Sequence, residues 1–458
     1  MSALPESPLW RWGELCEALG LPLADGPDVT GISIDSRKTR PGDLFIALTG
    51  DPGSRFNPSQ RSDRDGHDFI AAAIANGAVG VLVHDGRQHG VAQLDVADTL
   101  DALWALGAAA RARLQCPVVA VTGSSGKTTV KGFLTAATGG FATAGSLNNH
   151  LGVPLSLALT PRQAPAATFE IGTNHPGEIA PLSRLVQPDV AVVLNVHPAH
   201  RANFASMAQL MQEKLSIAEG LGAKGNLVIE ESLTGERVPE GVRVTRFGRG
   251  AEARVRLLEL HQRHASFELD GQRLTAHVPG GGEHRAMSLA AVLGVLAVLG
   301  LDLTPGLSLA DTLIPAGRGQ EHQVAGIVVI DDSYNANPAS MKAALLGLQG
   351  RPERRRFALL GEMLELGEES ADFHRGLAAL AGSLDGVFCV GAGMESLHAA
   401  LPPERRLGYQ AQPDDALLAR LAATLGAGDV LLVKGSNRVF WARGYVGRVL
   451  EALSAAGR

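Results

Sequence analysis

Two glycines, a lysine and two threonines fall together in Gly123-Ser-Ser-Gly-Lys-Thr-Thr129, a set suited to gripping phosphate oxygens. The apolar β-formers Val118-Val-Ala-Val121 run straight into this turn, and a helical pattern from about Thr128 carries the chain away. Backbone N–H groups and a helix N-terminus therefore converge on one point. Lys127 would lie against the outer phosphates of a nucleotide, and Thr128 would offer its hydroxyl to Mg²⁺. Gly123 and Gly126 would let the backbone close around the oxygens without a Cβ in the way. The predicted cradle runs through Thr122, Gly123, Ser124, Ser125, Gly126, Lys127, Thr128 and Thr129. Val121 stands where the general phosphate loop has its first glycine, so this is a shortened Gly-x-x-Gly-Lys-Thr form. An ordinary βα turn that happens to hold a lysine is the competing description.

Further polar groups stand at predicted strand ends. Thr168-Phe-Glu-Ile-Gly puts Glu170 near the end of a strand, and in an open α/β sheet that end faces the ligand crevice, so Glu170 is placed to help hold Mg²⁺. Asn174-His175-Pro-Gly-Glu-Ile follows at once, and the strand Val190-Ala-Val-Val-Leu-Asn195 leads to His200. A lone histidine there is an ordinary satisfied polar residue; several such groups on the sheet that carries a phosphate loop point to an active site. Beyond them a helix over about 206–219 carries Lys214, which spacing alone makes a solvated surface charge.

These groups need elements to hold them. The chain's 458 residues suggest about three domains, each with its own core. Residues 1–112 show short β runs between Gly, Pro and Asp turns and a helix over about 68–76, a small α/β unit. Ser36, Arg37 and His67 fall at its turns, where they are either turn formers or ligand contacts. Residues 51–64 read as a surface loop. Residues 113–310 alternate strand and helix, as a mostly parallel sheet does, with an apolar core helix at about 287–301. Residues 311–458 hold Arg318, the strand ending Asp331-Asp332, the turn Ser333-Tyr-Asn335-Ala-Asn337-Pro and a helix from about Ala339. The strand at Val430 ends in Lys434-Gly-Ser436. This last unit has the pattern of a doubly wound, Rossmann-like sheet. The cluster Arg354-Arg355-Arg356 reads as a surface turn before a strand at 357–360.

A net charge of −6 without a sustained basic run argues against nucleic acid as a partner. Three scattered cysteines fit a reducing cytoplasm. The apolar stretch 287–301 is shorter than the roughly 20 residues a bilayer crossing needs, and the start lacks a signal pattern, so the expectation is a soluble cytoplasmic protein without an anchor.

Taken together, the phosphate loop, Asn174-His-Pro-Gly-Glu-Ile, Asp331-Asp-Ser-Tyr-Asn-Ala-Asn-Pro and Gly361-Glu-Met-Leu-Glu-Leu-Gly resemble the Mur ligases of peptidoglycan synthesis, over essentially the whole chain. The last three runs point within that family to the branch that adds D-alanyl-D-alanine to UDP-MurNAc-tripeptide. The resemblance implies an ATP-dependent ligase, monomeric, with three domains: one for the uridine nucleotide (Ser36, Arg37, His67), a central one for ATP, and a C-terminal one for D-Ala-D-Ala. It reassigns Lys214, fourteen residues after His200 and followed by Ile217 and Gly220-Leu221, as a lysine carbamylated by CO₂. It further implies two Mg²⁺ ions, one at Thr128 and Glu170, the other at His200 and carbamylated Lys214. With Lys127, Glu170, His200 and Lys214 form the implied catalytic set. Asn148 and Asn149 would lie near the reacting phosphate. His284, Arg318, Asp332 and Asn335 would meet ATP, while Asn174, His175, Asn337, Lys434 and Ser436 would face substrate. Some positions depart from the family pattern: Arg-Ala-Asn follows His200, Ser216 replaces an acidic residue, Arg285 and Ser288 replace two asparagines after His284, and Asn437 precedes Arg438. A folate polyglutamylating ligase of the same architecture and a weakly active nucleotide-binding module are the rival readings.

Overall fold

The structure, a computed structural model, describes residues 8–49, 64–197, 203–233, 238 and 241–457. Nearly all of the loop expected at 51–64 lies outside them. Three sheets follow one another along the chain.

The first has four parallel strands in sequence order, Gly31–Ser33, Asp43–Ile46, Gly80–Val83 and Ala92–Asp95. The two middle strands are buried at every position, as a parallel sheet covered on both faces requires. The helix Thr99–Arg113 leads out of this unit. Asp98 caps it by accepting the N–H groups of Leu100 and Asp101 at 2.7 and 2.9 Å, satisfying donors that the first turn leaves unpaired. It packs on the helix Gly152–Ala158, and Trp104 Nε1 donates to the His150 carbonyl at 2.9 Å, tying the first unit to the second.

The second sheet has eight strands. From one edge they run Ala167–Glu170, Val118–Thr122, Val190–Val193, Asn226–Glu230, Arg243–Gly248 and Val255–His261, all parallel, then His264–Leu269 and Gln272–His277, each antiparallel to the strand before it. The mostly parallel sheet is as expected, and its antiparallel extension has a local cause. Asp270 and Gly271 both take positive φ, 51° and 80°, the combination that closes a two-residue hairpin with the right twist. The helix Glu283–Leu299 begins four residues before the apolar run and is buried on all sides from Ser288 to Leu296, which is why its sequence shows no polar face.

The third sheet has six strands in the order Gln320–Val324, Ile327–Asp332, Asp429–Lys434, Arg355–Gly361, Gly386–Val390 and Arg406–Gln410. Only the first is antiparallel. The arginine cluster is not a surface turn: Arg355 and Arg356 open the strand Arg355–Gly361, and the Arg355 guanidinium meets buried Asp429 of the neighbouring strand at 2.6 Å. Asn337 caps the helix Pro338–Gln349, exchanging hydrogen bonds with Ser340. Among the described residues no helix is long and apolar enough to cross a membrane.

Candidate active site

The phosphate loop leaves the buried strand Val118–Thr122 and enters the helix Lys127–Thr138. Gly126, the residue before the helix, has φ +83°, which a side chain would strain. Its neighbours hold the loop open. Ser125 N–H donates to Asn195 Oδ1 at 3.0 Å, and Ser124 N–H to the Asn195 carbonyl at 3.1 Å. Ser124 Oγ and His197 exchange further bonds at 3.0 Å. Lys127 Nζ folds back onto the Gly123 carbonyl at 2.7 Å. Burial lowers the Lys127 pKa, against the pull of Glu170 and with the repulsion of Arg318. Such an ammonium is thinly solvated and gains when a phosphate arrives.

Beside the loop, Glu170 ends the strand Ala167–Glu170 and is buried. Its Oε2 accepts from Thr128 Oγ1 at 2.8 Å and its Oε1 from Asn148 Nδ2 at 2.8 Å. Lys131, one helical turn beyond Lys127, stands 3.9 Å from the same carboxylate and donates to the Thr143 carbonyl at 2.9 Å. Ser146 Oγ lies 3.2 Å from Thr128 Oγ1 and accepts from Arg318 Nη2 at 3.2 Å. A hydroxyl, a carboxylate and an amide oxygen beside a phosphate cradle are the hard oxygen donors that suit Mg²⁺, which takes few protein ligands and completes its shell with phosphate and water. Among the described residues there is no cluster of three or more His, Cys, Asp or Glu side chains that could hold a metal ion.

The solvated reading of Lys214 is wrong. Its helix Met207–Leu215 gives way to a 3₁₀ turn, Ser216–Gly220, and Lys214 is buried at 3% exposure. Burial first, then the nearby Lys127 charge, pushes its amine down to about 7. The adjoining Glu213 accepts the Gly177 and Ile179 N–H groups at 2.7 and 2.8 Å, so this helix end is fastened under the site. His200 lies outside the described residues.

The third unit closes the site from the other side. Arg318 lies over the Tyr334 ring at 4.2 Å while its Nη2 reaches Ser146. Asp332 and Lys434 end adjacent parallel strands, and Lys434 Nζ, itself buried, sits 2.7 Å from Asp332 Oδ2 and 3.0 Å from the Asn335 carbonyl. His284 is open to the cavity, where desolvation, then the Arg285 and Lys434 charges, pushes its imidazole down to about 3.

One cavity of about 1560 Å³ gathers most of the expected residues. Ser124, Ser125, Gly126, Lys127, Thr128, Thr129, Asn148, Asn149, Glu170, Asn174 and His175 line it from the second unit, with His284. Arg318, Asp332, Asn335, Asn337 and Lys434 line it from the third. Thr122, Gly123, Lys214 and Ser436 stand behind its wall: Ser436 Oγ accepts the Leu364 N–H at 2.9 Å inside the third unit. Ser36, Arg37 and His67 are elsewhere, in the first unit. Ser36 is buried, and Arg37 is exposed and paired with Asp35 at 2.8 Å. His67 has both ring nitrogens engaged, Nδ1 with Asp65 at 2.6 Å and Nε2 accepting the His84 N–H at 3.2 Å. Sequence reasoning passed over Ser146, Asn195 and Lys131, and noted Arg285 only as a departure from the family pattern. Lys131 had a signal in its spacing of four from Lys127 on the same helix face, and Asn195 in its place just past a strand end.

Residues 121–296 match the family model of the Mur ligase middle domain, and residues 317–437 that of the Mur ligase glutamate ligase domain. The UDP-N-acetylmuramoyl-tripeptide–D-alanyl-D-alanine ligase of Escherichia coli is 34% identical over 433 residues, 90% of this chain and 92% of that protein. The chain belongs to the Mur ligase family. As a Mur ligase it superposes on the crystal structure of MurF from Acinetobacter baumannii with a TM-score of 0.81 at 30% identity, covering 98% of this chain and 100% of that one. MurF of Thermotoga maritima in complex with ADP matches with a TM-score of 0.77 at 28% identity, covering 93% of this chain and 97% of that one. The three-domain α/β architecture of this Mur ligase is thus that of MurF.

Proposed function

We propose that this Mur ligase joins D-alanyl-D-alanine to UDP-MurNAc-tripeptide at the expense of ATP, in the synthesis of peptidoglycan precursor. The carrying observation is likeness along nearly the whole chain to ligases of that name, at 34% identity for the Escherichia coli enzyme. The site geometry supplies the chemistry. The phosphate loop and Lys127 cradle the outer phosphates of ATP, and Arg318 approaches them from the third unit. The terminal carboxylate of the tripeptide attacks the γ-phosphorus, the bond to the bridging oxygen breaks, and ADP leaves with that electron pair. The acyl phosphate then takes the amine of D-Ala-D-Ala at its carbonyl carbon. The amine gives up a proton, and phosphate departs from the tetrahedral intermediate. Much of the acceleration is positional, since near-attack alignment contributes roughly 7–11 kcal/mol.

Thr128 and Glu170, 2.8 Å apart, are the residues that would hold Mg²⁺. Bound there, the ion supplies charge neutralisation at the γ-phosphoryl oxygens. Lys214 is the residue for carbamylation. Its buried amine, pushed down to about 7, keeps a large neutral fraction at pH 7, and only the neutral amine adds CO₂. The carbamate, with His200, would offer anionic and imidazole ligands to a second Mg²⁺. Residues 1–112 are assigned to the uridine nucleotide through Ser36, Arg37 and His67, residues 113–310 to ATP, and residues 311–458 to D-Ala-D-Ala. Support for the last two is that one cavity is shared by both units.

A coupled phosphate-release assay tests the reading. Turnover should need ATP, UDP-MurNAc-tripeptide and D-Ala-D-Ala together; turnover with a folate and glutamate instead, or nucleotide binding without turnover, defeats it.

A further inference from the structure

Arg285 stands in the first turn of the helix Glu283–Leu299, a position where the helix dipole favours an acidic residue and disfavours a cation. It is nonetheless half-buried at the cavity wall, with its guanidinium turned onto main-chain carbonyls. Nη1 donates to Gly280 O at 2.8 Å and Gly281 O at 3.1 Å, both in the turn that precedes the helix. Nη2 donates to Arg318 O at 2.9 Å, in the third unit. The fork therefore spans the two units that share the cavity. Room for it is made by glycines on either side. A Cβ on Gly280 would come within 2.8 Å of Nη1, and one on Gly319 would collide with Nη2. Both glycines have positive φ, +68° and +88°. Asp332, Glu321 and Asp311 supply negative charge around the guanidinium.

The residue so held sends its side chain across to Ser146, beside the phosphate loop. From the clamped Arg318 main chain the guanidinium passes over Tyr334 to Ser146, whose hydroxyl is 3.2 Å from Thr128. Among the described residues the turn's other main-chain hydrogen bonds stay within its own unit: Arg318 N–H to the Pro315 carbonyl, Gly319 N–H to the Asp331 carbonyl and Tyr334 N–H to the Gly317 carbonyl. We propose that Arg285 is a positioning residue: by fastening the Arg318 carbonyl to the glycine turn of the central unit, it sets the Arg318 guanidinium over the ATP phosphates. The inference rests on the reading of Arg318 as an ATP contact.

The test is a double-mutant cycle in the full-length enzyme. Arg285→Ala is expected to raise the KM for ATP on the order of tenfold, the scale of losing one charge-assisted contact, with the KM values for tripeptide and D-Ala-D-Ala unchanged. Arg285→Lys, with one nitrogen for three carbonyls, should fall between it and wild type. In an Arg318→Ala background, Arg285→Ala should add nothing, because the group it positions is gone. Effects that multiply, a wild-type KM for ATP, a fall in kcat with every KM unchanged, or loss of fold in both Arg285 variants would each overturn the proposal. ADP affinity, measured by titration calorimetry on the same proteins, separates the outcomes: a wild-type chain that fails to ligate defeats the functional reading while leaving this cycle measurable.

Discussion

Thr128 Oγ1 donates to Glu170 Oε2 across 2.8 Å, joining the helix behind the phosphate loop to the end of the adjacent parallel strand. A hydroxyl and a carboxylate so placed, beside a lysine short of solvent, are arranged for a cation and a polyphosphate together. Glu170→Gln keeps the shape and the Asn148 side of this arrangement but removes the charge. Ligation should fall about 10²-fold or more, the scale of losing several kcal/mol of charge stabilisation. Rates within threefold of wild type at saturating Mg²⁺ would show that Glu170 carries no metal.

Lys214→Ala should nearly abolish ligation, and added bicarbonate should not restore it, because the substituted side chain has no amine to take up CO₂. A mutant that turns over at wild-type rate removes the carbamate from the mechanism.

The same lysine makes a pH prediction for the CO₂-free protein. Its folded pKa of about 7 lies below the ordinary 10.5, so between those values the unfolded chain binds the extra proton and stability rises with pH. Below pH 7 the lysine is charged in both states and the burial penalty is present in full. Lys214→Met should therefore raise the melting temperature at pH 6 and raise it less at pH 9. An equal shift at both pH values contradicts this.

Lys434 and Asp332 close the ends of neighbouring strands in the third unit. Lys434→Met leaves Asp332 and the Asn335 carbonyl without their cation and should destabilise the protein by about 3 kcal/mol, the lower end for breaking a buried pair. Denaturant unfolding with no change in midpoint would place the pair among those that contribute nothing.

Gly126→Ala tests the loop itself. At φ +83° a side chain strains the backbone by about 1–2 kcal/mol, and the new Cβ would sit 3.3 Å from Leu194 and Ser288. Nucleotide affinity should drop at least tenfold, read by ADP titration, with melting temperature changed by only a few degrees; unchanged affinity would mean the loop tolerates another conformation.

By itself the sequence determined what is local. The phosphate loop was legible because its strand, turn glycines and helix are contiguous, and each constrains φ or donors at its own position. Glu170 was legible because a strand that ends in a carboxylate must present it at the crevice of a parallel sheet. The hairpin at Asp270-Gly271 carried an equally local signal that the alternation of strand and helix masked. Tertiary structure decided what depends on neighbours far along the chain. Lys214 looks solvated in its helix, and only the packing of that helix against the phosphate-loop unit buries it and depresses its amine. Arg355 reads as a surface charge until Asp429, 74 residues on, stands beside it. Arg285 reads as a flaw in a motif until Arg318 arrives from another unit. Hydrogen-bond geometry and desolvation are properties of atoms brought within a few ångströms, and periodicity along a chain does not contain those distances.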